Sequence, residues 1–202
     1  MAPETFRTLT VDGFLDALAA KTAAPGGGAA AGMVGATACA LASMVVEFSI
    51  GKKNLAEHQP ALVDAQGRLA RARRLMLDLA DEDAAAYGAV NELSRLPEGD
   101  PRRAALSAAQ RASVQVPMTM LAACADVLRL METLAPIANR FLRSDLAAAA
   151  VMAAGAARSA LWNVRVNVQS LSAGEGMQAL AEGERLAGDC AARAARVEAG
   201  CV

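Results

Sequence analysis

Residues 24–48 read Ala-Pro-Gly-Gly-Gly-Ala-Ala-Ala-Gly-Met-Val-Gly-Ala-Thr-Ala-Cys-Ala-Leu-Ala-Ser-Met-Val-Val-Glu-Phe and set the frame for the whole chain. Pro25 and the run Gly26, Gly27, Gly28 interrupt two helical patterns. Glycine accepts backbone angles that other residues resist, so a tight turn here can aim its amides at one point. Beyond the turn the sequence predicts a helix of very small residues, with Gly28, Gly32 and Gly35 on neighbouring turns. Such a helix lets another backbone approach closely. Its free N-terminal amides also offer a place for an anion or a carbonyl oxygen. A plain loop and a closely packed core helix, with no ligand, explain the same residues.

Two nucleotide motifs are excluded. Gly26-x-Gly28-x-x-x-Gly32 departs from the dinucleotide fingerprint, and the segment before it reads as helix rather than strand. Gly51-Lys52-Lys53 lacks the Gly-Lys-Ser/Thr ending of a P-loop. The 202 residues suffice for a single helical domain over 1–202 with a sizeable core. Hydrophobic residues make up 54% but aromatics only 3%, so alanine rather than rings fills the interior. Strong helix formers dominate and alternating β-branched runs are scarce, which predicts an all-α fold. A formal net charge of −1 gives no basic field for nucleic acid or acidic membranes.

The N-terminal Met-Ala-Pro-Glu-Thr-Phe shows no basic region leading into an apolar core, so no signal peptide is expected. Ala29–Val46 is uncharged and long enough to span a bilayer, but its Ala/Gly/Ser/Thr content is weakly apolar. With no second span of similar length apparent, a buried helix is the expectation. Cys39, Cys124, Cys190 and Cys201 are scattered, and His58 is the one histidine. That pattern argues against a zinc site or a disulfide framework and suits the cytoplasm.

In chain order, a first helix is predicted over Val11–Thr22 behind a Thr-Val-Asp capping signal, and the small-residue helix over Ala29–Ile50. Gly51 is suited to end the latter in the left-handed conformation. Lys52 and Lys53 then stand at the negative end of its dipole. A solvated pair is the ordinary explanation, and an anionic tail beside a pocket is the functional one. A long helix comes next over Pro60–Leu96, with Asp64 and Asp78 four residues from Arg68 and Arg74. After a turn at Pro97–Pro101, Arg102–Glu132 reads as helix, with Pro117 expected to bend or break it. Ser144-Asp145 reads as a cap for a helix from Asp145 to about Leu171. Ser159, Asn163, Asn167 and Ser170 form a polar stripe on it, either hydrated or facing a ligand. A charged amphipathic helix over Glu175–Arg196 closes the bundle.

One residue breaks the binary pattern. Leu69, Ala72, Met76, Leu79, Tyr87, Val90 and Leu93 mark an apolar stripe on the long helix. Asp83 lies seven residues from both Met76 and Val90, so it falls on that stripe. Asp81 lies about 200° away, at roughly 100° per residue. A carboxylate on a buried face is costly unless paired, hydrogen-bonded or protonated. Burial raises its pKa, which suits an acid/base group near neutral pH. A core carboxylate satisfied by an arginine or a backbone amide is the structural alternative.

Together the elements resemble the formiminotetrahydrofolate cyclodeaminase / methenyltetrahydrofolate cyclohydrolase family. The resemblance rests on Phe14-Leu-Asp-x-Leu-Ala, Pro25-Gly26-Gly27-Gly28, Gly51-Lys52-Lys53, Asp81-x-Asp83-x-x-x-Tyr87, Val116-Pro117, Ser144-Asp145 and Asn163-Val-x-Val-Asn167. It implies a bundle of long antiparallel helices that dimerises, with a folate pocket at or near the subunit interface and Asp83 as the acid/base residue. The matching positions Gly26, Gly27, Gly28, Lys52, Lys53, Tyr87, Ser144, Asp145, Asn163 and Asn167 are the substrate-binding set that it implies, with no metal and no cofactor. Lys52 and Lys53 would attract a glutamate tail, and Asn163 and Asn167 would contact the pterin or hold the pocket's shape. Two departures stand out. Ala29 replaces the serine common after the triple glycine, and Ala138–Arg143 differs from the usual Gly-Asn-rich approach to Ser-Asp.

The implied activity is hydrolysis of 5,10-methenyltetrahydrofolate to 10-formyltetrahydrofolate, because no formiminotransferase module accompanies the domain. Release of ammonia from 5-formiminotetrahydrofolate is the alternative. A non-enzymatic helical interaction module is the rival from another class.

Overall fold

A computed structural model describes residues 5–202, which leaves Met1–Glu4, the first part of the stretch read for a signal peptide, outside the described residues. Six α-helices succeed one another: α1 Val11–Ala19, α2 Gly27–Glu47, α3 Gln59–Ser94, α4 Leu106–Leu134, α5 Arg143–Asn167 and α6 Ala173–Cys201. No strand occurs among the described residues, so the all-α expectation holds. α2 packs between α3 and α5, while α4 packs against α3, α5 and α6.

The element ends reflect local chemistry. Thr10 caps α1 by accepting the Gly13 amide at 3.0 Å. This helix stops at Ala19, short of the expected Thr22, and Lys21–Ala24 form the approach to the glycine turn. α2 begins at Gly27, two residues before the expected Ala29, with Gly26 as its N-cap and no side-chain cap. Past its end, Gly51 takes the left-handed φ of 77° as expected.

Gly32 and Gly35 are small because α3 lies against them. A Cβ on Gly32 would sit 2.8 Å from the Met76 carbonyl oxygen and 2.9 Å from Ala80 Cβ. The close backbone approach foreseen for α2 is therefore made within one chain. The core is alanine-rich where α2 meets α5 and leucine- and methionine-rich around α4, with Met120, Leu121, Leu128, Met131 and Leu134 fully enclosed.

Four expectations are corrected. α4 runs unbroken through Pro117, which is buried inside it, because only one backbone bond is lost and the helix is held by its neighbours. Ser144 and Asp145 lie in the first turn of α5 rather than capping it, and the N-cap is Leu142. Tyr87 is 50% exposed, because it borders open clefts between α3, α4 and α5 instead of packing in the core. Finally, α2 is not alone in being long and apolar enough to cross a membrane, since Pro101–Leu134 passes the same test. Both are largely buried against their neighbours, as core helices are.

Candidate active site

A cleft of about 300 Å³ opens where the N-terminus of α2 meets the second half of α3 and the C-terminal part of α5. Gly26 and Gly27 form one wall together with Ala23 and Ala24. Asp83 and Tyr87 line it from α3, Ser113 from α4, and Asn163, Val166 and Asn167 from α5.

Asp83 sits directly over the start of α2. A Cβ on Gly28 would lie 2.2 Å from the carboxyl carbon and from both oxygens, so only glycine leaves room for the carboxylate. Burial pushes the Asp83 carboxyl above its ordinary range, and a hydrogen bond from the Ala29 backbone amide partly offsets this. The α2 N-terminus favours the anion while the loss of water disfavours it. A carboxylate balanced in this way, with no cation holding it down among the described residues, is suited to taking up and releasing a proton.

Asp81 is different. Its Oδ1 accepts the Phe6 backbone amide at 2.8 Å, and Asp78 one turn earlier pairs with Arg7. Asp78 thus serves the N-terminal segment instead of Arg74. The outer face of α3 anchors that segment, and Asp83 alone of the adjacent acids enters the cleft.

The two asparagines of α5 present themselves alike. Asn163 Nδ2 donates to the Ser159 carbonyl at 3.0 Å, and Asn167 Nδ2 donates to the Ser113 carbonyl at 2.7 Å. Each amide nitrogen spends one of its two N–H donors on the protein, which fixes the amide and leaves its Oδ1 as an acceptor. Ser159 and Ser170, the other members of the polar stripe, are exposed and do not line this cleft.

The structure divides the predicted residues into two groups. Gly26, Gly27, Gly28, Asp83, Tyr87, Asn163 and Asn167 come together at the cleft. Lys52, Lys53, Ser144 and Asp145 lie at the opposite end of the bundle. There the turn after α2 meets the turn before α5, with the Asn139 amide donating to Ser49 Oγ at 2.8 Å. The 21 residues of α2 separate the two groups by about 30 Å at 1.5 Å per residue. The residues that sequence reasoning missed are Ala23, Ala24, Ala84, Ser113 and Val166, of which the three alanines carry no functional group that a side-chain pattern could flag. Among the described residues, no group of three or more His, Cys, Asp or Glu side chains is placed to hold a metal ion.

Residues 10–183 match the family described as formiminotransferase-cyclodeaminase. A methenyltetrahydrofolate cyclohydrolase from Methylorubrum extorquens is 35% identical over 167 residues, which are 80% of each chain. A formimidoyltransferase-cyclodeaminase from Mus musculus is 30% identical over 79% of this chain, but this chain spans only 30% of that protein. The crystal structure of a formiminotetrahydrofolate cyclodeaminase from Thermotoga maritima aligns with a TM-score of 0.89 and 29% identity over 96% of both chains.

Proposed function

This chain belongs to the formiminotransferase-cyclodeaminase family, and from that premise we propose that it is an enzyme of tetrahydrofolate one-carbon interconversion, hydrolysing 5,10-methenyltetrahydrofolate to the 10-formyl product. The single observation that carries the reading is Asp83, a desolvated carboxylate over the glycine-lined start of α2 in a cleft walled by acceptor amides. The preference for hydrolysis rests on the relative that shares 80% of its length with this chain.

In the proposed reaction, water adds to the methenyl carbon while Asp83 takes one of its protons. The product is a neutral carbinolamine bridging N5 and N10. Asp83 then returns its proton to N5 as the carbon–N5 bond breaks. The carbinol oxygen loses its proton as the formyl C=O forms, so one proton is released overall. Positioning water within reach of the carbon supplies the rest of the effect. A group that accepts and then returns a proton is typically worth about 10²–10⁴ in rate. The folate derivative is the substrate, and the scheme uses no metal or redox cofactor.

A second chain completes this reading. The cleft is at the small end of the range for ligand sites, enough for a ring system but not for its anionic tail. Val34 and Phe48 on or beside α2, and Phe141 and Val151 on or beside α5, leave apolar side chains exposed on neighbouring helices. A homodimer formed across that face would bring Lys52, Lys53, Ser144 and Asp145 of one chain toward the cleft of the other. The lysines would then meet a polyglutamylated tail.

The structural neighbour and the mouse relative favour the cyclodeaminase reaction as a second reading, in which N10 attacks the formimino carbon and ammonia leaves. Purified protein assayed in parallel on 5,10-methenyl- and 5-formiminotetrahydrofolate tests both. Hydrolysis of the first without ammonia from the second is expected. The reverse result assigns the deaminase, and inactivity on both removes the enzymatic reading.

A further inference from the structure

Pro117 lies in the middle of α4, and its ring nitrogen has no hydrogen to donate. The carbonyl it would have bonded, four residues earlier, is that of Ser113. Ser113 is buried, and a buried carbonyl without a donor is destabilising, so another donor is needed. That donor is Asn167 Nδ2, which reaches across from α5 at 2.7 Å. Both Ser113 and Asn167 line the cleft that contains Asp83.

We infer that Pro117 is a positioning residue for the cleft: by freeing the Ser113 carbonyl it fixes the Asn167 amide, so that Oδ1 faces the ligand as an acceptor for a ring N–H. The orientation is dictated by chemistry. A carbonyl can only accept, so the NH₂ side of the amide must face Ser113 and the oxygen must face elsewhere. Asn163 is held the same way by the Ser159 carbonyl one turn earlier. The α5 wall therefore offers two acceptors about one helical turn apart, spaced to take N–H donors from separate points of a heterocyclic ligand such as a reduced pterin. Any other residue at 117 would supply an N–H to Ser113, whose carbonyl would then be shared between two donors and would hold the Asn167 amide less firmly. The ligand assignment rests on the folate reading given above, whereas the coupling of Pro117 to Asn167 does not.

Pro117→Ala, Asn167→Ala and the double variant test this in the intact protein. Alanine is the best helix former, so Pro117→Ala should melt no lower than the parent. Without ligand, the Asn167 side-chain amide signal in nitrogen-15 spectra should exchange slowly with solvent in the parent and quickly in Pro117→Ala. With 5,10-methenyltetrahydrofolate, each single variant should raise KM about tenfold, the worth of about one hydrogen bond, with kcat changed less than twofold. The double variant should be no worse than Asn167→Ala alone. An amide that stays protected in Pro117→Ala overturns the coupling. A released amide with unchanged KM, or effects that multiply in the double variant, overturns the role in binding. A released amide in a protein that binds no reduced folate leaves the coupling standing and rejects the folate reading instead.

Discussion

The two ends of the bundle handle charge in opposite ways. At the cleft end Asp83 is half-buried with no cationic partner among the described residues, and its partial burial raises its pKa. At the other end Glu132, near the C-terminus of α4, accepts hydrogen bonds from both Arg193 and Arg196 of α6. Burial pushes that carboxyl up too, but the two guanidinium groups outweigh it and hold it below its ordinary value. Arg193 is shared further with Asp189 at 2.8 Å. The contrast teaches what a structural carboxylate looks like in this fold: its partners are present and its proton is gone. Asp83 has glycine and a backbone amide where Glu132 has arginines, so its charge state is left open for a reaction.

The largest effect that would sharpen this contrast is loss of the carboxylate. Asp83→Asn should lower kcat by about 10²–10⁴ while circular dichroism and reduced-folate binding stay close to the parent. Asp81→Asn keeps a carbonyl oxygen that can still accept the Phe6 amide and loses only the charge, so it should cost at most about 1 kcal/mol of stability with activity within a few-fold. Comparable, large activity losses in both folded variants would erase the distinction between the two faces of α3.

Next comes the glycine beneath the carboxylate. Gly28→Ala places a methyl group 2.2 Å from the carboxyl atoms, so the carboxylate must move, and a shift of about 1 Å can cost roughly 10² in rate. Gly27→Ala meets only Asn163 at 3.8 Å, an ordinary contact, and should lose far less. Steady-state kinetics that do not separate the two would mean that Asp83 is not positioned by the start of α2.

A smaller effect concerns the far end. Replacing Lys52 and Lys53 with alanine should raise KM for polyglutamylated substrate several-fold more than for the monoglutamate, with the difference shrinking as salt screens the charges. Mixing this variant with Asp83→Asn chains should recover part of the lost efficiency if each cleft takes its lysines from a partner. No recovery in mixed dimers would confine each chain's residues to itself.

The smallest effect is in stability against pH. Asp83 has a raised pKa in the folded state, so its contribution is fully present below the ordinary aspartate range and is lost as pH rises through the folded value. Glu132 runs the other way: its contribution is present above the ordinary glutamate range and is lost as pH falls through its lowered folded value. Denaturant titrations should therefore show Asp83→Asn gaining on the parent as pH rises, and Glu132→Gln closing its deficit as pH falls. Parallel trends would mean the two carboxylates share one environment.

Much of the fold and of the cleft is legible in the sequence, for reasons that can be traced residue by residue. Asp83 is legible because helical period alone puts it in line with Met76 and Val90, and the same arithmetic turns Asp81 away. Gly28 and Gly32 announce close approach, but a single sequence does not say to what. One meets the Asp83 carboxylate and the other the Met76 carbonyl of the same chain. Lys52 and Ser144 are legible as neighbours of charge and of a helix start, but not as residues a helix length away from Asp83. That distance comes from the antiparallel pairing of α2 and α5. Ser113 carries a signal that side-chain patterning passes over. A proline in a helix always leaves the carbonyl four residues before it in need of a donor.

The pairing of α2 with α5 also bears on how the chain is made. Ser49 and Asn139, which join the two helices at one end, are 90 residues apart. At about 5–20 residues per second, α2, uncharged up to its last residue Glu47, leaves the ribosome roughly 5–20 s before that partner exists. α3 arrives sooner and covers one flank, with Met76 and Ala80 seated in the glycine notches. The other flank waits in water. Its alanines and glycines expose less apolar area than leucines would, so the composition that lets the finished helices pack closely also makes the unfinished protein less adhesive.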